Sequence, residues 1–371
     1  PDVSDEIRAL ALIEAERLLE LGSIERAQNN LEPALDCFQK AVEIFRKHGD
    51  RTGEGCARGC VGNVLQVQGK WEQSSDYLSD AIEIFNQIGD QNREGIYLGN
   101  LGVVMVARGQ MERAVECYSR GIDIARSLGD ATNEGVFLGN LGDVYRTLGQ
   151  YEPAATFFRQ AIEIARQVGN KCSEGLHLGN LGDVLLGLEQ SETAEAAFRT
   201  AISICDEAFP VAAGAFRGSL ALLLTRKGAH EEVETLLQVG ERLVVSVPAE
   251  HAKFLSKKGH IQQLLGDTDD AQASLKAAQV LASGLNVDHR SDVGQSITSL
   301  HDVITSTSIV DDEPSQVFVE AEQLQERGQI AYEQGQGDEA IRCFEGACDL
   351  HRKAGNRAGE EVEWPSLETL E

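Results

Sequence analysis

Apolar residues along this chain recur three or four positions apart, and no stretch alternates with period two. That spacing lines one face of a helix, so the chain reads as all-α. The pattern is clearest from Gly99 to Glu189, where Gly-Asn-Leu-Gly begins at Gly99, Gly139 and Gly179, every 40 residues. Each period holds two apolar-periodic runs, for example Glu94 to Arg108 and Met111 to Ala125, separated by Gly109-Gln110. Each period also closes on Gly and a polar residue: Gly49-Asp50, Gly89-Asp90, Gly129-Asp130 and Gly169-Asn170. Glycine just past a helix is a C-cap signal. Each period therefore predicts two antiparallel helices, A and then B. Self-similarity at this length predicts a stack of such units.

Small and large residues alternate within the helices. In A, Leu101-Gly102 sets a large residue beside a missing side chain. In B, Ala114, Tyr118 and Gly121 do the same at spacings of four and three. Small positions let helices approach, and large ones fill the space between, so Gly142 and Gly182 are expected where A meets B. The set Leu141, Gly142, Tyr145, Ala154, Phe158 and Ala161 resembles the tetratricopeptide repeat (TPR) family in its 40-residue form. Pins-type adaptors, rapsyn, kinesin light chain and bacterial signalling arrays carry such repeats. The resemblance implies an all-α superhelical solenoid of antiparallel helix pairs, with the A helices lining its concave face.

The units carry the boundaries. Residues 1–18 form a helical lead, and 19–282 an array of about seven repeats. The fifth unit loses the Gly-Asp close, which becomes Phe209-Pro210, and the period then shrinks. Phase is lost over 283–319, read as an irregular segment with a helix around Val293 to Ile304 and a polar linker at Thr305 to Pro314. It returns at Gly328, Phe344 and Ala347, giving a further repeat over 320–362 and a tail at 363–371.

Composition narrows the function. The net charge is −27, from 60 acidic and 33 basic residues, with no basic stripe. Nucleic-acid binding needs such a stripe, so that class is set aside. The acidity biases partners towards basic proteins. No run is long enough and apolar enough to span a membrane. The eight cysteines, among them Cys56 and Cys60 one helical turn apart, lack zinc spacing and read as buried thiols of a cytoplasmic protein. No catalytic or cofactor signature occurs, so no enzyme activity, cofactor or metal is expected. Gly53-Glu-Gly55 resembles a phosphate loop only faintly, because Gly55 recurs as Gly95, Gly135 and Gly175. Gly335-Gln-Gly337 is a second faint case.

The A helices supply the candidate site. Two residues before the small glycine stand Asn100, Asn140 and Asn180, with Cys60 in the unit before them. One residue after it stand Asn63, Val103, Asp143 and Asp183, and four after it Gln66, Val106, Arg146 and Leu186. A primary amide offers donors and an acceptor together and so suits a peptide backbone. In kinesin light chain and the Pins-type adaptors, similar Asn columns hold an extended peptide. The resemblance thus implies a partner-binding set of Asn63, Gln66, Asn100, Asn140, Asp143, Arg146, Asn180 and Asp183. The alternative role for the same Asn column is bonding between neighbouring units. A carboxylate clamp for chaperone tails is absent, because its Lys position holds Gly59, Gly99, Gly139 and Gly179.

The expected function is an adaptor that binds an extended or helical segment of another protein along the concave groove. Two alternatives remain: the sensor or oligomerisation arm of a larger signalling enzyme (a kinase or STAND-type NTPase), and a peptide-sensing regulator.

Overall fold

The computed structural model describes residues 3–285, 291–333 and 337–353. Among them are sixteen helices and no strand. The chain divides into two units, Pro1–Phe254 and Leu255–Glu371.

The first unit is built of helix pairs. They are α1 (Val3–Ala27) with α2 (Leu31–His48), α3 (Arg51–Val67) with α4 (Trp71–Ile88), and α5 (Gln91–Ala107) with α6 (Met111–Leu128). Next come α7 (Ala131–Thr147) with α8 (Tyr151–Gln167), α9 (Lys171–Gly187) with α10 (Ser191–Ala208), and α11 (Pro210–Arg226) with α12 (Val233–Val244). Odd-numbered helices are the A helices. The expected lead at 1–18 and the first A helix form one continuous helix, α1.

The predicted breaks are real turns. Gly49, Gly89 and Gly129 end the B helices with φ of 73°, 73° and 67°. Gly69, Gly109 and Gly149 end the A helices with φ of 70°. Glycine adopts this left-handed conformation without a side-chain clash. The polar residue that follows the B-helix stop then starts the next A helix. Asp50, Asp90, Asp130 and Asn170 accept hydrogen bonds from the backbone N–H of Gly53, Arg93, Asn133 and Ser173, which satisfies an otherwise unpaired donor.

Inside each pair the A-helix glycine lies under a large B-helix residue. A methyl group on Gly62 would lie 2.7 Å from Leu78, on Gly102 2.5 Å from Tyr118, on Gly142 3.0 Å from Phe158, and on Gly182 2.7 Å from Phe198. The small and large positions of the sequence are thus mutual contacts.

Between pairs, a second glycine column seats a ring from the following A helix. Gly59, Gly99, Gly139 and Gly179 lie directly beneath Tyr97, Phe137, His177 and Phe216, with no room for a β-carbon. The rings also meet the preceding B helix: Phe85 stacks on Tyr97 at 5.5 Å, Tyr118 meets Phe137 at 6.5 Å, and Phe158 meets His177 at 6.3 Å. The position a chaperone clamp would give to Lys is thus filled by stacking. Gly53 and Gly55 have the same kind of role, lying beneath Phe45 and Phe85.

The second unit holds α14 (Thr268–Leu285), α15 (Asp292–Glu333) and α16 (Gly337–Lys353), with α13 (Pro248–Leu264) crossing the division in sequence. Val293, Leu300 and Ile304 are buried, as the helix expected around them requires. The segment expected as irregular and as a polar linker differs: the backbone stays helical from Asp292 to Glu333. Ser, Thr and Asp disfavour helix by only a few tenths of a kcal/mol each, a bias that context overrides, but the helix also runs through Pro314, which disfavours a helix interior by about 3 kcal/mol. Gly328 lies beneath Phe344, 2.6 Å from where its β-carbon would be, so the returning phase carries a real A–B contact. Gly335 and the expected tail at 363–371 lie outside the described residues.

Candidate functional site: the A-helix face

All eight candidate residues are half-buried, and all lie on the A helices α3, α5, α7 and α9. They sit at fixed places relative to the A–B glycine, and packing of that glycine on the B helix fixes how each helix is rotated. The candidates are not equivalent in their contacts. Asn100 Nδ2 donates to Asn63 Oδ1 at 3.0 Å, and Asn180 Nδ2 donates to Asp143 Oδ2 at 3.4 Å. Both bonds run from one A helix to the preceding one, 37 residues back. Arg146 Nε donates to Asp143 Oδ1 at 3.2 Å.

The same register places Val103 opposite Asn140, and valine offers no acceptor. Asn140, Gln66 and Asp183 make no side-chain hydrogen bond or ion pair among the described residues. The Asn column therefore divides. Asn100 and Asn180 tie repeats together, while Asn140 keeps its donors and acceptor free.

Exposed apolar residues share this face with Asn140. Ile96, Val103 and Val136 are 41%, 39% and 42% exposed, on the two helices that flank this point. Ile96, Val136 and Leu176 form a period-40 column that the sequence reading passed over. Its signal was present: an apolar residue four before each Asn, on the same helical face.

A column of carboxylates was also overlooked. Glu54, Glu94 and Glu174 are at most 5% exposed, and each precedes a repeat glycine. Glu54 pairs with Arg51 and Arg58, Glu94 with Arg120, Glu134 with Arg126 at 2.7 Å, and Glu174 with Arg166 and Lys171 at 2.8 and 2.7 Å. Hydrogen bonds from Arg166 and Lys171 hold the Glu174 carboxyl below the usual carboxylate range. The pairs of Glu94, Glu134 and Glu174 with Arg120, Arg126 and Arg166 run between helices, whereas those of Glu54 stay within α3; carboxylates with this many partners have little left for a ligand.

The thiols have no such poise. Cys37, Cys117, Cys205 and Cys343 are buried, and Cys56, Cys60 and Cys172 half-buried. Burial pushes Cys60, Cys117 and Cys205 up to about 11, which keeps them as inert thiols. His177 is pushed down to about 4 by burial, so its ring is neutral in its socket. Among the described residues no group of three or more His, Cys, Asp or Glu could hold a metal ion. No described helix is long and apolar enough to cross a membrane.

Profiles of the tetratricopeptide repeat match residues 53–127, 97–167 and 136–207, and a second such profile matches 15–48. The chain belongs to the tetratricopeptide repeat family. No curated protein sequence is a significant match. Among solved structures, this TPR protein is similar to the apo form of RapI, with TM-score 0.63 and 16% identity over 74% of this chain and 99% of that one. Aspartyl phosphate phosphatase F from Bacillus subtilis gives TM-score 0.61 and 16% identity, over 78% of this chain and 74% of that one. A Rap protein complexed with competence and sporulation factor gives TM-score 0.54 and 14% identity, over 94% and 99%. At these identities the likeness is one of fold: a helical TPR solenoid. The TPR fold places this chain among protein-interaction scaffolds.

Proposed function

We propose that this TPR protein is a non-enzymatic, cytoplasmic adaptor whose A-helix face holds an extended segment of another protein, centred on α5 and α7. The observation that carries this reading is Asn140. It is a half-buried amide with no partner, on the face shared by exposed Ile96, Val103 and Val136. An extended segment supplies both kinds of group that face lacks. Its backbone N–H and C=O complete the amide, and an apolar side chain covers the valines. Asp183, a carboxylate without a partner on α9, favours a basic residue at that end of the segment.

A second reading is a peptide-sensing regulator. It draws support from the fold likeness to the Rap protein that is complexed with competence and sporulation factor. Both readings use the same face and differ in whether the occupant is part of a protein or a free signalling factor.

The test is affinity capture, followed by titration with the captured segment. Asn140→Ala should weaken binding about 2- to 13-fold, the worth of one hydrogen bond of 0.5–1.5 kcal/mol, and leave the melting temperature in place. Asn100→Ala should lower the melting temperature, because it breaks the bond to Asn63. Unchanged affinity in Asn140→Ala would remove this face from the binding surface.

A further inference from the structure

One side of α1 carries an apolar stripe that no described residue of the chain covers. Ile7, Leu10, Ile13, Leu21 and Ile24 are 45% to 67% exposed, while Leu12, Ala15, Leu18 and Leu19 face the core of the first repeats. The positions of Leu21 and Ile24 recur one period on as Val61 and Val64, both fully buried, and again as Leu101 and Val104, both buried. In those two repeats the equivalent residues are covered by packing within the stack.

The stripe has an internal order. Residues 7, 14 and 21 and residues 10, 17 and 24 repeat by seven, offset by three, which is the seam pattern of a coiled coil. The seam reads Ile7, Leu10, Glu14, Arg17, Leu21, Ile24. It is symmetric about the midpoint between Ala15 and Glu16, with apolar residues outside and one acid and one base at the centre. Glu14 and Arg17 are both exposed, and neither has a partner among the described residues.

We propose that α1 pairs with α1 of a second copy of this chain, antiparallel, about that midpoint. A two-fold axis there sets Ile7 against Ile24 of the second copy, Leu10 against its Leu21, and Glu14 against its Arg17. Each contact occurs twice, as an isologous interface requires. Charge selects the orientation. A parallel pair in register would face Glu14 with Glu14 and Arg17 with Arg17, whereas the antiparallel pair makes two ion pairs at its centre. It also covers the stripe. The seam is short, with four aliphatic layers around two charged ones, so it belongs with the smaller and weaker interfaces. The dimer should dissociate on dilution.

Sedimentation equilibrium of the full chain over a wide concentration range tests the proposal. A reversible monomer–dimer equilibrium is expected. Arg17→Glu brings four carboxylates together and should weaken dimerisation roughly 100-fold or more; Glu14→Arg gathers four guanidiniums and should do the same. The charge exchange Glu14→Arg with Arg17→Glu restores opposite charges and should restore the dimer. Circular dichroism melts of the dissociated single variants should match that of the dissociated parent, since both side chains are exposed. A chain that stays monomeric throughout overturns the proposal, and so does a dimer that either reversal leaves intact. A dimer that both reversals weaken but the exchange fails to restore overturns the antiparallel register.

Discussion

The four regular pairs from α3 to α10 and the pair α11–α12 use glycine in two different ways. In the regular pairs a glycine makes room for a ring or a Leu: Leu78 over Gly62, Tyr118 over Gly102, Phe158 over Gly142, Phe198 over Gly182. In α11–α12 glycine makes room for backbone. A β-carbon on Gly214 would lie 2.8 Å from the carbonyl oxygen of Gly240, and one on Gly240 would lie 3.0 Å from that of Gly214. The two contacts differ in how they yield. A ring can tilt within its cavity, but a carbonyl moves only with its helix. The degenerate end of the first unit is therefore the less forgiving joint, although its repeat pattern is the weaker one in sequence.

Substitutions at the two kinds of joint should separate them. Gly214→Val forces α11 away from α12 and should cost about 3 kcal/mol or more, at the top of the range for overpacking. Gly142→Leu meets the edge of Phe158 and should cost about 1–3 kcal/mol. Thermal melts of the two proteins measure this directly. Equal losses would mean that ring sockets are as rigid as backbone contacts.

His177 sharpens the comparison within the regular pairs. Its neighbours in the same column are Tyr97, Phe137 and Phe216, which do not gain a proton near neutral pH. The His177 pKa is about 4 in the folded chain, against an ordinary 6.5. Between those values the unfolded chain binds a proton that the folded chain refuses. Stability should therefore be full above pH 6.5, fall as pH drops, and level off below pH 4. The loss is on the order of 3 kcal/mol. Denaturant titrations of the parent and of His177→Phe across this range should diverge only below pH 6.5. Parallel curves would mean that the socket tolerates an imidazolium. Glu174 adds its own acid sensitivity below the usual carboxylate range, but it does so in both proteins and cancels from the difference.

The smallest effect concerns the A–B turn of α9 and α10. Glu189 stands with φ of 60° where the preceding repeats have Gly69, Gly109 and Gly149. A side chain in that region is strained, so Glu189→Gly should stabilise by up to about 1 kcal/mol. A melting temperature that does not rise would show that the glutamate is held by contacts that offset the strain.

The sequence alone determined the repeat and much of its local geometry. Period 40 says which residues are equivalent, so the left-handed glycines, the capping Asp column and the glycines under large B-helix residues were all legible. Each depends on contacts within one unit or on the chemistry of one residue. The tertiary structure decided what lies across units. Asn100, Asn140 and Asn180 are equivalent by period, yet Asn63 and Asp143 satisfy two of them while Val103 leaves the third free. That outcome depends on an offset of 37 residues between touching positions, which stacking sets and the 40-residue period does not contain. The long α15 was hidden for a related reason. Local propensity argued for a polar linker at Thr305 to Pro314: its Ser, Thr and Asp resist helix by only tenths of a kcal/mol each and yield to context, while Pro314, at about 3 kcal/mol, signalled a break that the fold does not make.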